Sequence, residues 1–562
     1  MTDLLQRTMP FSELLEQVGS TGRFQVVHVT LLCIPVLMMA SHNLLQNFVA
    51  TVPSHYCNAH ANLSQARLSL EESLLITVPL DGEGRPQRCQ RYAAPQWHLL
   101  GKNGTSGSGD LADATEGLDA ALQECTDGWY YNSTVRSSTI ISEWHLVCDM
   151  HSLKQMGQTI YMGGVLVGAL LFGGLSDRYG RRILLLISNL LMAVSGTCAA
   201  FSSSFSLFCV FRFGCGLALS GLGLNTFSLI VEWIPTRIRT AVGTTTGYCY
   251  TIGQLILVLL AYFIRDWRWL TLAVSLPFYV FFLIAWWFHE SSRWLALSNR
   301  TEHALKNLKS VARFNGRHEE AEKLDIKMLH ESMKKEMSST QGSYSILDLF
   351  NTPAMRKRTL CLSAVWLSTS FAYYGLAMDL DKFGVDIYLI QVIFGAVDIP
   401  AKVVVVVSMS LIGRRRSQCA VLVIAGITIL LNLLVPYGML AYCCPNFTKH
   451  IRYIPVWLGF YMCETAALSC GVQQGSKLGP LPFVLYTLQI SHSIGTFKGI
   501  AHQNKLHLRC SQVQRNGSKW RSILQTKQQR KTDKTLFTFY WLLLLLLLFY
   551  MDLNTSLTPP SA

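Results

Sequence analysis

Apolar residues in this chain fall in long blocks rather than in the scattered stripes of a soluble core. Blocks near 24–50, 152–176, 183–203, 205–232, 240–264, 268–288, 359–379, 385–411 and 417–437 each approach the roughly 20 residues a hydrocarbon layer demands of a crossing helix. Only closed backbone hydrogen bonding is tolerated inside a bilayer, so each block predicts an α-helix and the fold class is all-α, a polytopic membrane protein. Two longer polar stretches interrupt the blocks. One runs over about 51–151. The other, 289–358, carries Ala304, Leu305, Leu308, Val311 and Ala312 at helical spacing and predicts short amphipathic helices.

The predicted organisation is an N-terminal half at 1–288 with six spans, a bridge at 289–358, spans seven to nine of a C-terminal half at 359–437, and a divergent region at 438–562. That last region is irregular and mostly basic as far as residue 534. It holds apolar pieces at about 453–472 and 479–494, and a final run from Leu536 to Met551 with seven consecutive leucines. The turn Gly413-Arg414-Arg415-Arg416 after the eighth span echoes Gly180-Arg181-Arg182 after the second, a weak internal repeat. Paired six-helix halves suit a carrier that rocks about a midplane site. The second half is incomplete or atypical here.

Charge sets the expected topology. The net charge is +14, but much of the basic excess lies in membrane-flanking turns and the C-terminal region, so it needs no nucleic-acid partner. Within 51–151, Asp and Glu outnumber Lys and Arg about two to one, which fits an extracytoplasmic loop and places the N-terminus in the cytoplasm. Asn62, Asn103 and Asn132 head glycosylation sequons in that loop, and Cys57, Cys89, Cys125 and Cys148 suit two disulfides in an oxidising compartment. Three pairings are open. Asn299 heads a further sequon on the side expected to face the cytosol and is assigned no sugar.

No G-x-x-x-x-G-K-[ST] cradle and no Cys/His cluster at metal spacing occurs, so no cofactor, metal or catalysis is expected. The run Gly173-Gly-Leu-Ser-Asp177-Arg178-Tyr-Gly180-Arg181-Arg182 resembles the cytoplasmic signature of the major facilitator superfamily. Phe11–Leu15, Gly22–Gln25, Met39–Phe48, Cys125–Trp129, Glu290–Trp294, Ser370–Gly375 and Gln391–Lys402, in that order, resemble the organic anion transporters of solute carrier family twenty-two. The resemblance runs from about residue 9 to 437. It implies sodium-independent uptake of small organic anions at the plasma membrane, often in exchange for dicarboxylates.

The residues suggest how an anion could be held. Lys402 lies in a span otherwise built of Val, Ile and Ala, where an ionisable group is a functional candidate. Asp398 stands four residues earlier on the same face and could instead neutralise it. In the family the lysine at this position contributes to anion binding. Trp366, Tyr373 and Tyr374 on the seventh span, with Tyr248 and Tyr250 on the fifth, could wall a cavity for planar anions. Asn43 and Asn47, with Ser41 or His42 nearby, share a face and bind substrate or glue helices. Asp177, Arg178, Arg181, Arg182, Glu290 and Arg293 form a candidate intracellular lock. Arg212, assigned to gating, either snorkels or pairs with Asp177 or Glu290. Glycines crowd the second and fourth spans, as close helix approach requires.

After Pro436 the family's glycine-lysine-glycine start, its tyrosine-glutamate-leucine-tyrosine-proline-threonine turn and its intramembrane arginine are missing. An altered C-terminal exon would explain so abrupt a loss. It opens a second expectation: a non-transporting isoform that binds or retains full-length transporters, making homo- or hetero-oligomers. A third reading, an organic cation carrier, is disfavoured because cation sites usually place a carboxylate where Lys402 stands.

Overall fold

The computed structural model describes residues 11–19, 21–58, 69–80, 86–97, 121–131, 138–235, 238–340, 348–353, 355–357, 359–360, 363–364 and 386–434. The short helix α1 (Phe11–Gly19) precedes the first span, α2 (Arg23–Val49). Spans two to five are α5 (His151–Tyr179), α6 (Arg181–Ala200), α7 (Phe205–Trp233) and α8 (Arg239–Phe263). The sixth is divided into α9 (Trp267–Ser275) and α10 (Pro277–Ala285), because Pro277 supplies no N–H to the preceding turn. The bridge comprises α11 (Ser292–Leu297), α12 (Thr301–Phe314), α13 (His318–Lys323), α14 (Ile326–Thr340) and α15 (Asp348–Asn351). The block expected as the eighth span is α16 (Ile387–Leu411); that expected as the ninth is α17 (Arg414–Leu434), whose apolar stretch Arg416–Ile427 is shorter than those of the crossing helices, and most of the block expected as the seventh lies outside the described residues. Among the described residues, seven segments are long and apolar enough to cross a membrane.

Helix packing follows the glycines. A Cβ on Gly164 of α5 would stand 2.1 Å from the Phe213 carbonyl oxygen, and one on Gly216 of α7 would stand 2.0 Å from that of Tyr161. The α5–α7 backbones therefore touch in both directions, which no larger residue permits. Gly180 (φ 101°) turns α5 into α6, and Gly413 (φ 89°) turns α16 into α17. Both adopt the left-handed region that glycine enters without steric cost, so the repeated Gly-Arg-Arg spelling encodes the same turn twice.

The loop after α2 holds two small antiparallel ribbons. β1 (His55–Cys57) pairs with β4 (Trp129–Tyr131), and β2 (Gln90–Tyr92) pairs with β3 (Leu122–Glu124). α3 (Leu70–Thr77), closed by a Ser69/Glu72 capping box, lies between β1 and β2, and α4 (Ile140–Glu143) follows β4. The disulfides are Cys57–Cys125 and Cys89–Cys148. At the opposite end Ala304, Leu308, Val311 and Ala312 of α12 are buried in the cluster that also holds Phe11, Leu14 and Leu15 of α1. Asn315 pins α1 there: it accepts from Phe24 N at 2.9 Å and donates to Val18 O at 3.1 Å and Gln25 Oε1 at 3.0 Å.

Candidate functional site

Helix α16 contains Pro400 and carries Asp398 and Lys402 one turn apart on the face that meets α8. Lys402 is 6% exposed and Asp398 fully buried. The ammonium donates to Asp398 Oδ2 at 2.5 Å, to the Gly247 carbonyl oxygen at 2.8 Å and to the Thr251 hydroxyl. Thr251 in turn donates to Asp398. An ammonium has three donors, and all three are used. Tyr248 adds its ring face 5.9 Å from Nζ. The intrahelical pair weighed from the sequence is thus formed, and among the described residues the ammonium is enclosed by Asp398, Gly247 and Thr251.

Thr251 and Gly247 were not singled out by sequence. Both are small residues of an apolar span, and only the crossing of α8 with α16 brings them to Lys402. Two other expected residues do meet: Asn43 Nδ2 donates to the Tyr250 hydroxyl at 2.7 Å. Asn47 is buried one turn beyond Asn43 on α2. Trp366, Tyr373 and Tyr374, and the sequon residues Asn62, Asn103 and Asn132, lie outside the described residues.

The charged turn between α5 and α6 closes a second cluster. Glu290 accepts the backbone N–H groups of Arg181 at 3.1 Å and Arg182 at 3.0 Å, so its carboxylate sits on the N-terminus of α6, where the helix dipole favours an anion. Burial pushes its carboxyl above the usual glutamate range, opposed by the N–H groups of Ser291, Arg182 and Arg181 and by the Arg181 charge. The Arg181 guanidinium reaches Asp177 at 2.9 Å, Ser176 O at 3.0 Å and Glu232 at 3.3 Å. Glu232, at the end of α7, went unnoticed in the sequence because nothing local marks it. Trp294 Nε1 donates to Asp177 O at 2.8 Å, and Arg182 donates to Trp286 O. Arg178 stacks on Tyr179 at 5.4 Å, and Arg293 is half-buried on α11.

Arg212 departs from the expected pairing. It is 1% exposed within α7, its guanidinium lies 4.2 Å from the Tyr161 ring centre, and none of its nitrogens finds a hydrogen-bond acceptor among the described residues. It meets neither Asp177 nor Glu290, because its position near the start of α7 puts it far along the helix from Glu232 and the α5–α6 turn. Ligand atoms of His55, Cys89 and Cys148 lie within 4.8 Å of one another, but the two cysteines are joined as a disulfide and a single ligand remains.

Residues 118–474 match the family model described as "Sugar (and other) transporter". The chain is 97% identical over 429 residues to "Solute carrier family 22 member 6" of Pseudopleuronectes americanus, covering 76% of each. Identity is 67% over 428 residues to the protein of that name in Danio rerio, again 76% of each. It is 47% over 431 residues to "Organic anion transporter 3" of Oryctolagus cuniculus, 77% of this chain and 75% of that one. Among solved structures, the proton:xylose symporter XylE bound to 6-bromo-6-deoxy-D-glucose superposes with a TM-score of 0.51 at 17% identity. That superposition covers 64% of this chain and 81% of XylE, a likeness of fold alone.

Proposed function

The chain belongs to the sugar (and other) transporter family and, within the major facilitator superfamily, to the organic anion transporter branch of solute carrier family twenty-two, and from that membership we propose that it carries small organic anions across the plasma membrane by alternating access, in exchange for dicarboxylates. It is a multi-pass membrane protein of a family of carriers, not of enzymes. In this reading the N-terminus is cytoplasmic and the disulfide-bonded loop is extracellular.

One observation carries the proposal. Two of the three groups that hold the Lys402 ammonium, Gly247 and Thr251, come from α8 in the first half, while Lys402 and Asp398 come from α16 in the second. Rocking of the halves parts α8 from α16 and strips two acceptors from a buried cation. A carboxylate entering the gap replaces them. The anion is then bound most strongly in a state where the halves have begun to separate, which couples its arrival to the motion. Asn43 and Tyr250, also on the first half, are placed to hydrogen-bond the rest of the cargo. The Glu290 cluster serves as the lock on the cytoplasmic side, holding the α5–α6 turn to the start of the bridge.

The test is uptake of a radiolabelled aromatic carboxylate into cells that display the chain at the surface. Uptake should saturate, and preloading with 2-oxoglutarate should accelerate it. Surface-labelled protein with no uptake above control overturns the proposal. A second reading is favoured by the relatives matching only 76% of the chain: an isoform that retains full-length transporters, which would lower their surface level on co-expression.

A further inference from the structure

Two free thiols meet where the first and fifth spans cross. Cys33 of α2 is buried and Cys249 of α8 is half-buried, both free thiols. The Thr246 hydroxyl lies 3.7 Å from Cys33 Sγ. One turn further along both helices the backbones are in contact. A Cβ on Gly253 would stand 2.1 Å from the Leu37 carbonyl oxygen, and Ser41 donates to the Gly253 carbonyl at 3.1 Å. Cys33 precedes Leu37 by four residues and Cys249 precedes Gly253 by four, so each thiol lies on the contact face of its helix. The tight crossing therefore fixes the sulfurs opposite each other. Neither thiol hydrogen-bonds the Lys402 cluster, although Cys249 shares its stretch of α8 with Gly247 and Thr251.

We propose that Cys33 and Cys249 form a chelating site for a soft, linearly coordinating cation, with mercuric ion as the probe, which staples the first span to the fifth. Two sulfurs and one weak hydroxyl are too few donors for the four-ligand shell of structural zinc. Thiolate pairs select soft cations. Binding exchanges protons for metal: each S–H bond breaks, its proton leaves to solvent, and each freed sulfur electron pair forms one S–Hg bond. Both sulfurs keep the thiol oxidation state, so no oxidant takes part. The staple spans two helices of one half, one of which also holds Lys402.

The test uses the full-length chain in detergent micelles, given one equivalent of Hg2+ and then washed with an excess of a monothiol. A single-sulfur site exchanges its metal in that wash, whereas a two-sulfur chelate gains on the order of 100-fold or more from effective concentration. One mercury per chain should survive, counted by mass spectrometry, with a raised Tm. Cys33→Ala and Cys249→Ala should each lose both effects, with Cys33→Ser and Cys249→Ser as variants of closer volume. Cys198→Ala is the control, because Cys198 and Cys215 are a further thiol pair within electrostatic range of each other. Mercury that persists in either Cys33 or Cys249 variant, follows Cys198, or never survives the wash overturns the proposal. The readout needs no transport, so failure of the carrier reading leaves it intact.

Discussion

Glu290 accepts the backbone N–H of Arg181 at 3.1 Å while the guanidinium of that same residue bonds Asp177 and Glu232, so one arginine ties together the start of the bridge, the α5–α6 turn and the end of α7. Because burial holds the Glu290 carboxyl above its ordinary 4.5, the folded chain keeps that proton more tightly than the unfolded one. The sign follows: its stabilising term is complete below the ordinary value and is lost as pH climbs through the folded value. Glu290→Gln removes the titration. The Tm of the wild type should therefore fall relative to the variant as pH rises above 4.5. A difference that stays flat across that window would show that Glu290 is not shifted upward.

The α5–α7 contact predicts opposite outcomes for two glycines of one helix. Gly164→Ala drives a Cβ to 2.1 Å from the Phe213 carbonyl oxygen, and the obstacle is backbone that cannot step aside. Overpacking of this kind costs about 1–3 kcal/mol or more. Gly174 has nothing within 4 Å of its added Cβ, so Gly174→Ala should be neutral or stabilising by up to about 1 kcal/mol through helix propensity. Thermal unfolding in micelles reads both. Equal effects would contradict the crossing.

In the loop, pairing predicts a pattern among single and double variants. Cys57→Ser should lose about 2–5 kcal/mol of loop stability, and adding Cys125→Ser should cost little more, since the first change has already broken the bond. Cys57→Ser with Cys89→Ser should cost both bonds. Limited proteolysis of the loop measures each, and non-reducing peptide maps should link Cys57 to Cys125 and Cys89 to Cys148.

Much of the architecture was legible because a bilayer imposes a length and a polarity that the chain must spell out locally. The Gly180 and Gly413 turns were readable for the same reason: a repeated Gly-Arg-Arg string yielded two positive-φ turns at 101° and 89°. What stayed hidden depends on residues distant in sequence. Nothing near Thr251 announces that a lysine 151 positions later will donate to it. Glu232 is likewise unremarkable until Arg181 arrives from another helix at 3.3 Å. Arg212 shows the converse. Its position near a helix end suggested a charge partner, but the helix carries it inward, where the Tyr161 ring face at 4.2 Å takes the place of a carboxylate. Four cysteines admitted three disulfide patterns, and the folded loop adopts Cys57–Cys125 with Cys89–Cys148, a choice no local sequence signal carries.

The Lys402–Asp398 pair allows stability and transport to be separated. Lys402→Ala leaves a fully buried carboxylate whose remaining hydrogen-bond donor among the described residues is Thr251, and breaking such a pair costs about 3–5 kcal/mol. Surface level should fall with uptake, so this variant alone does not isolate a binding role. Replacing both residues, Asp398→Leu with Lys402→Met, removes the stranded charge and should restore surface level to near wild type. If the ammonium is the counter-charge for cargo, uptake by the double variant stays absent although the protein is present. Asp398→Asn retains the cation and relieves the competition between carboxylate and cargo, so anion uptake should persist with a lower KM. Surface biotinylation paired with initial-rate uptake distinguishes these cases. A double variant that transports as well as the wild type would reduce Lys402 to a structural charge neutralised by its own helix.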